Sequence, residues 1–86
     1  MVAVRMNMVE LKLFTKDECG KCEHVKERMP KNLKIQIINA DTVDGLAEAA
    51  FYEIVEKTFP VLVVDDEVVC GALPILERLN AIAGQK

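Results

Sequence analysis

Two cysteines three positions apart, Cys19 and Cys22, sit where one residue pattern gives way to another. Before them, Val9-Glu10-Leu11-Lys12-Leu13-Phe14 alternates and then turns wholly apolar, the pattern of a strand whose far end is buried. After them, Cys22, Val25 and Met29 recur at helical spacing, with Glu23, Lys26, Glu27 and Arg28 on the other side. The stretch from Thr15 to Cys22 therefore reads as a strand-to-helix turn carrying two thiols. The rest of the chain has to hold that turn in place.

The patterns that follow are short and sharply bounded. Pro30 and Asn32 end the first helix, and Lys34 to Asn39 alternates as a second strand at a sheet edge. Asp41 or Thr42 can cap a second helix whose apolar face is Leu46, Ala49, Ala50 and Ile54, with Phe51 and Val55 alongside. Thr58-Phe59-Pro60 breaks the chain before Val61-Leu62-Val63-Val64, a third strand. Asp65-Asp66 is a two-residue turn, and Glu67-Val68-Val69-Cys70 returns as a fourth strand in a hairpin. Pro74 suits the first turn of a last helix, Pro74 to Ala83, with Ile75, Leu76, Leu79, Ile82 and Ala83 as its face and Gly84 as its stop. The order is β-α-β-α-β-β-α. The first β-α-β is expected to be a right-handed parallel crossover and the hairpin antiparallel. That predicts an α/β fold with a four-stranded mixed sheet flanked by three helices.

Eighty-six residues suffice for one domain, 1–86, with a modest core. At 51% hydrophobic and 29% charged the chain reads as globular rather than disordered. A net charge of −3 argues against a nucleic-acid partner. No apolar run approaches the ~18–20 residues of a membrane span. Met1 to Met8 lacks the apolar core of a signal peptide and reads as a dispensable leader, which makes the cytoplasm the expected compartment. Three cysteines are an odd count, unlike the even sets that staple small secreted scaffolds. In a reducing compartment such thiols serve catalysis or metal binding.

The spacing suits exchange chemistry. Two thiols at i and i+3 meet when the first sits at a helix start and the second lies one turn in. Unpaired N–H groups and the helix dipole stabilise a thiolate on the first, Cys19. Lys16 and Lys21 add positive charge, opposed by Asp17, Glu18 and Glu23. Cys22, lying deeper, can attack a mixed disulfide on Cys19. The competing reading is a metal site, for which only His24 and Cys70 are further ligands. Cys22 and His24 are about 200° apart on a helix and point in different directions. His24 reads as a solvated helix residue, Cys70 as a small buried filler at a strand end in preference to a third redox thiol or a metal ligand, and Phe51 and Tyr52 as core or surface.

The chain resembles the glutaredoxin branch of the thioredoxin-fold superfamily from about Val9 to Ala83. Phe14-Thr15-Lys16 followed by Cys19-Gly20-Lys21-Cys22 is similar to that family's first strand, lysine and CxxC. Thr58-Phe59-Pro60 resembles its Thr-Val-Pro segment, and Val69-Cys70-Gly71 its Gly-Gly turn. The resemblance implies a nucleophilic Cys19, a resolving Cys22, a cis Pro60 beside the thiols, and a Phe59 backbone that pairs with an extended substrate. It implies substrate-binding roles for Lys16, Lys21, Thr58, Phe59, Pro60 and Gly71, with Lys16 able to pair with a glutathione carboxylate. Two features depart from the pattern. Gly-Lys stands between the cysteines where Pro-Tyr is usual. Ala72, Leu73 and Pro74 stand where an acidic residue often holds glutathione's amino group. The glutaredoxin-like electron donors of ribonucleotide reductase, which draw on thioredoxin reductase, lack such contacts too.

The sequence thus predicts a monomeric dithiol–disulfide oxidoreductase that reduces protein or glutathione-mixed disulfides. It is expected to hold no bound cofactor or metal. Glutathione or thioredoxin reductase would be its electron source and disulfide-containing proteins its substrates. The alternative is a metal or iron–sulfur carrier that uses the CxxC cysteines. Small metallochaperones of that kind run β-α-β-β-α-β and end in a strand, whereas this chain reads as ending in a helix.

Overall fold

The computed structural model describes residues 10–84. The expectations for Val9 and for the leader Met1 to Met8 lie outside the described residues. Seven elements follow in the order β1 (Leu11–Thr15), α1 (Gly20–Arg28), β2 (Gln36–Asn39), α2 (Val43–Phe51), β3 (Val61–Val64), β4 (Glu67–Cys70) and α3 (Ala72–Ala83). The sheet order is β2-β1-β3-β4, with β1 parallel to β2, antiparallel to β3, and β3 antiparallel to β4. This is the predicted four-stranded mixed sheet, with β2 at an edge.

Alternation along β1 divides the core. Leu11 and Leu13 face Val25 of α1, Ile75 and Leu79 of α3, and Leu62. Phe14 points the other way, onto Ile38, Ala49, Ile54, Val61 and Val63. Leu13 and Phe14 are fully buried, each worth about 1.5–3 kcal/mol of apolar transfer. Both sheet faces are thus covered, and β1 carries the thiol turn out of the most buried part of the sheet.

The hairpin between β3 and β4 is the predicted Asp65-Asp66 turn, with Asp65 at φ 56°, a left-handed conformation that aspartate tolerates. Asp65 also ties down the start of β1: its N–H donates to the Glu10 carbonyl, and its carboxylate accepts the Glu10 N–H. Arg78 of α3 donates two hydrogen bonds, 3.0 and 2.9 Å, to the Glu67 carboxylate of β4.

Three expectations need correction. The helix α3 starts at Ala72 rather than Pro74, because a first-turn residue has no intrahelical N–H partner to lose and proline fits there. The helix α1 starts at Gly20 and stops before Met29, which is extended as the residue preceding Pro30. The face of α2 differs most. Its buried positions are Gly45 and Ala49, while Ala50 and Phe51 are exposed and Leu46 is 48% exposed. The helix ends in a Schellman turn: Glu53, at φ 60°, donates its N–H to Ala50, and Ile54 donates to Ala49. That turn, rather than helical periodicity, returns Ile54 to the core, and it leaves Val55 partly exposed.

Lys12 lies on the α2 face of β1. Its ammonium donates to Glu48 at 2.8 Å and to the Tyr52 hydroxyl at 2.9 Å. The Glu48 hydrogen bond, then that of Tyr52, raises the Lys12 pKa above the usual lysine range against the opposing cost of desolvation. Tyr52 meets the edge of Phe14, with ring centroids 6.0 Å apart, so the ion pair closes the rim of the core.

Candidate active site

The thiol turn is built from β1 outward. Thr15 is buried, and its carbonyl accepts the Ala40 N–H at 2.8 Å, which joins the ends of β1 and β2. Lys16, Asp17 and Glu18 then cross to α1, with Glu18 at φ 50°. Cys19 is the N-cap of α1. Its backbone is extended, and its sulfur accepts the Cys22 N–H at 3.1 Å. A cap of this type satisfies one of the orphan donors of the first helical turn.

Cys19 and Cys22 are joined as a disulfide, with Cα atoms 5.2 Å apart. Their environments differ: Cys19 is half-buried and Cys22 fully buried. After reduction, Cys19 is the sulfur an incoming disulfide can reach, and the Cys22 N–H of the first turn is already aimed at it. Cys22, buried in the core cluster, is bonded to Cys19 from its inner side. The arrangement can form a mixed disulfide on the outer sulfur and resolve it with the inner one.

The Thr58–Pro60 segment lies beside this turn. Phe59-Pro60 is a cis peptide, and the Pro60 carbonyl accepts the Gly71 N–H at 3.3 Å. Phe59 is buried in the same cluster as Cys22, and Cys19 packs against that cluster. The Lys16 ammonium sits 5.4 Å from the centre of the Phe59 ring. Lys16, Phe59, Pro60, Gly71 and the two cysteines are therefore gathered at one end of the sheet. Lys21, in the first turn of α1, and Thr58 are exposed.

Cys70 is not the buried filler expected. It is an exposed free thiol at the end of β4, opposite Val61. The reason is topological: β4 is an edge strand, and α2 lies over β2 at the far side of the sheet. His24 is exposed as expected, and its Nδ1 accepts from Arg28 Nε at 3.3 Å. Among the described residues, no group of three or more His, Cys, Asp or Glu side chains is placed to hold a metal ion. None of their helices is long and apolar enough to cross a membrane.

One part of the site escaped the sequence reading. Asn39 Nδ2 donates to the Asp17 carboxylate at 2.8 Å, and Asn39 Oδ1 accepts the Asp41 N–H at 2.8 Å. Asp41 Oδ2 in turn accepts the Asp17 N–H at 2.7 Å. The β1–α1 loop is thus clamped to the β2–α2 loop. The helix cap is Thr42, whose hydroxyl accepts the Gly45 N–H at 3.0 Å, which frees Asp41 for the clamp. The signal available in the sequence was the run Asn39-Ala40-Asp41-Thr42 after a strand, in which two residues compete for one capping position.

Comparison with known proteins agrees with this geometry. The glutaredoxin family model matches residues 11–69, which run from the start of β1 into β4 and contain both cysteines and Pro60. No curated protein matches the sequence. Among solved structures, the thioredoxin-like protein BC3987 superposes with a TM-score of 0.66 at 23% identity, covering 85% of this chain and 99% of that one. A point mutant of the same protein gives 0.67 at 21% identity over 87% and 100%. Both are likenesses of fold. The glutaredoxin-like protein NrdH-redoxin from Escherichia coli, described with a thioredoxin-like activity profile, gives 0.62 at 26% identity over 81% and 93%. With its CxxC pair joined at the head of α1, the chain belongs to the glutaredoxin family, thiol–disulfide redox proteins built on the thioredoxin fold.

Proposed function

We propose that this protein is a dithiol–disulfide oxidoreductase that reduces disulfides in proteins or mixed disulfides with glutathione. The observation that carries the reading is the asymmetric pair: a half-buried Cys19 capping α1, bonded to a fully buried Cys22. The Cys19 thiolate attacks one sulfur of the substrate disulfide and expels the other as a thiolate, leaving a mixed disulfide on Cys19. Cys22, deprotonated, attacks the Cys19 sulfur and expels the second substrate thiolate. Two electrons pass from the dithiol to the substrate, and the protein ends as the Cys19–Cys22 disulfide. No bound cofactor takes part in these steps. The backbone of Phe59, ahead of the cis Pro60, is where an extended substrate segment would pair beside the sulfurs.

Thioredoxin reductase is the electron source this reading favours, in a monomeric protein working in the cytoplasm. The first turn of α3 carries no acidic residue, so Ala72, Leu73 and Pro74 offer no partner for glutathione's amino group. Lys16 already has Asp41 beside it. NrdH-redoxin, whose activity profile is thioredoxin-like, supports the same choice.

The test uses two variants and two coupling systems. Cys19→Ser is expected to abolish insulin disulfide reduction, and Cys22→Ser to accumulate a mixed disulfide visible by mass spectrometry. Equal residual turnover in both variants would sink the assigned roles. Faster turnover with glutathione and glutathione reductase than with thioredoxin reductase would overturn the choice of donor.

A further inference from the structure

Lys16 is the cation nearest the aromatic wall of the thiol site, and it is not alone there. Its ammonium lies 3.9 Å from Asp41 Oδ1 while sitting over the Phe59 ring. The two partners differ in freedom. Lys16 is a long side chain, 47% exposed. Asp41 is held, because its other carboxylate oxygen takes the Asp17 N–H at 2.7 Å and its own N–H is fixed by Asn39. A fixed carboxylate therefore stands beside an exposed ammonium over Phe59, whose cluster Cys19 packs against.

We propose that Asp41 is a specificity-determining residue: its carboxylate occupies Lys16 and so withholds that cation from disulfides whose own carboxylates would otherwise bind it. The site then favours neutral or cationic segments around the target disulfide. The pair is solvent-exposed, so the effect is modest; ion pairs of this kind shift equilibria by about threefold. The inference rests on Cys19 attacking disulfides as described above.

The experiment compares 3,3′-dithiodipropionate, which carries a carboxylate on each side, with the neutral 2-hydroxyethyl disulfide. Pre-reduced protein is mixed with each, and second-order rates of dithiol loss are read by acid quench and mass spectrometry. Asp41→Asn keeps an oxygen acceptor for the Asp17 N–H and removes the charge. It is expected to raise the anionic-to-neutral rate ratio about threefold at low salt. That gain should vanish near 1 M salt, where the screening length is about 3 Å. With Lys16→Gln already in place, the same substitution should give less than half the gain. An unchanged ratio, or an equal gain without Lys16, would overturn the proposal, the latter because simple repulsion would then explain it. Should Asp41→Asn fail to fold, Asp41→Ser, which removes the charge and keeps a hydroxyl acceptor, takes its place with the same expected gain and the same overturning outcomes. A parent protein that reduces neither probe would sink the oxidoreductase reading itself, a distinct outcome.

Discussion

Gly45→Ala is expected to destabilise this protein, although replacing a helical glycine with alanine ordinarily stabilises by about 0.5–1 kcal/mol. Gly45 is buried in the first turn of α2, close against the end of β2. A Cβ built there overlaps the Asn39 carbonyl oxygen and lies 2.7 Å from its carbon and 2.9 Å from Thr42 Oγ1. Restoring the carbon contact alone to an ordinary ~3.5 Å requires α2 and β2 to part by about 0.8 Å. Both obstacles are positioned groups. The Asn39 carbonyl accepts from the Thr42 hydroxyl at 2.8 Å and from the Thr42 N–H at 3.2 Å, and Thr42 Oγ1 is the helix cap. Overpacking of this kind costs about 1–3 kcal/mol, and a weakened cap about 1 kcal/mol more. Set against the helical gain, the net loss is about 2 kcal/mol, or roughly 10 °C in melting temperature for a domain of this size. Thermal unfolding followed by circular dichroism, with parent and variant both oxidised, measures it directly. A variant that melts at or above the parent temperature would refute the claim that the α2–β2 approach is set by the missing side chain.

Two further predictions concern β4. The Arg78 guanidinium, through its hydrogen bonds and then its charge, holds the Glu67 carboxyl below its usual range. The folded value therefore lies below the unfolded value of about 4.3; the contribution of the pair is present above that pH and is lost as pH falls through the folded value. Because the pair is exposed, Glu67→Gln should lower the melting temperature only slightly near neutrality, and the difference should disappear by about pH 2. A difference that persists unchanged in acid would show that the link acts by packing instead. Cys70 is exposed on an edge strand and outside the thiol pair, so Cys70→Ser should leave single-turnover disulfide reduction within about twofold of the parent; a larger loss would make it a third working thiol.

The fold was legible where its causes are local. Alternation in Leu11 to Phe14 and the β-branched run Val61 to Val64 mark strands because the pleat repeats every two residues; all four strands are present, β3 and β4 with the bounds read, while β1 runs on to Thr15 and β2 starts at Gln36 rather than Lys34. The face of α2 was not legible, because it depends on a distance between elements. Helical spacing assigned Leu46 and Ala50 to the core on their hydrophobicity. The helix instead approaches β2 so closely that only Gly45 and Ala49 fit between them, and the bulkier apolar residues are turned outward. Cys70 fails for a related reason. Its β-branched neighbours suggest burial, but burial at a strand's end depends on which strand is the edge and where α2 lies.

The same distinction divides the site. Cys19 and Cys22 interact across one helical turn, so their spacing at a strand-to-helix junction already pointed to thiol exchange, with a metal site as the competing reading. The contacts that fix Asp41 beside Lys16 join residues 22 to 24 positions apart, Asn39 to Asp17 and Asp17 to Asp41, and no periodicity encodes them. They exist because β1 and β2 run parallel and in register, Thr15 beside Asn39, so that the loops leaving both strands emerge at the same end. A parallel β-α-β unit therefore places two loops that are remote in sequence side by side above its strand ends. One supplies the thiols here; the other, through Asn39 and Asp41, sets the loop and charge that an approaching disulfide meets. Reaction type is thus written locally, in a four-residue motif, while the substrate preference proposed above rests on a topological neighbour that a single-sequence reading assigns only to helix capping.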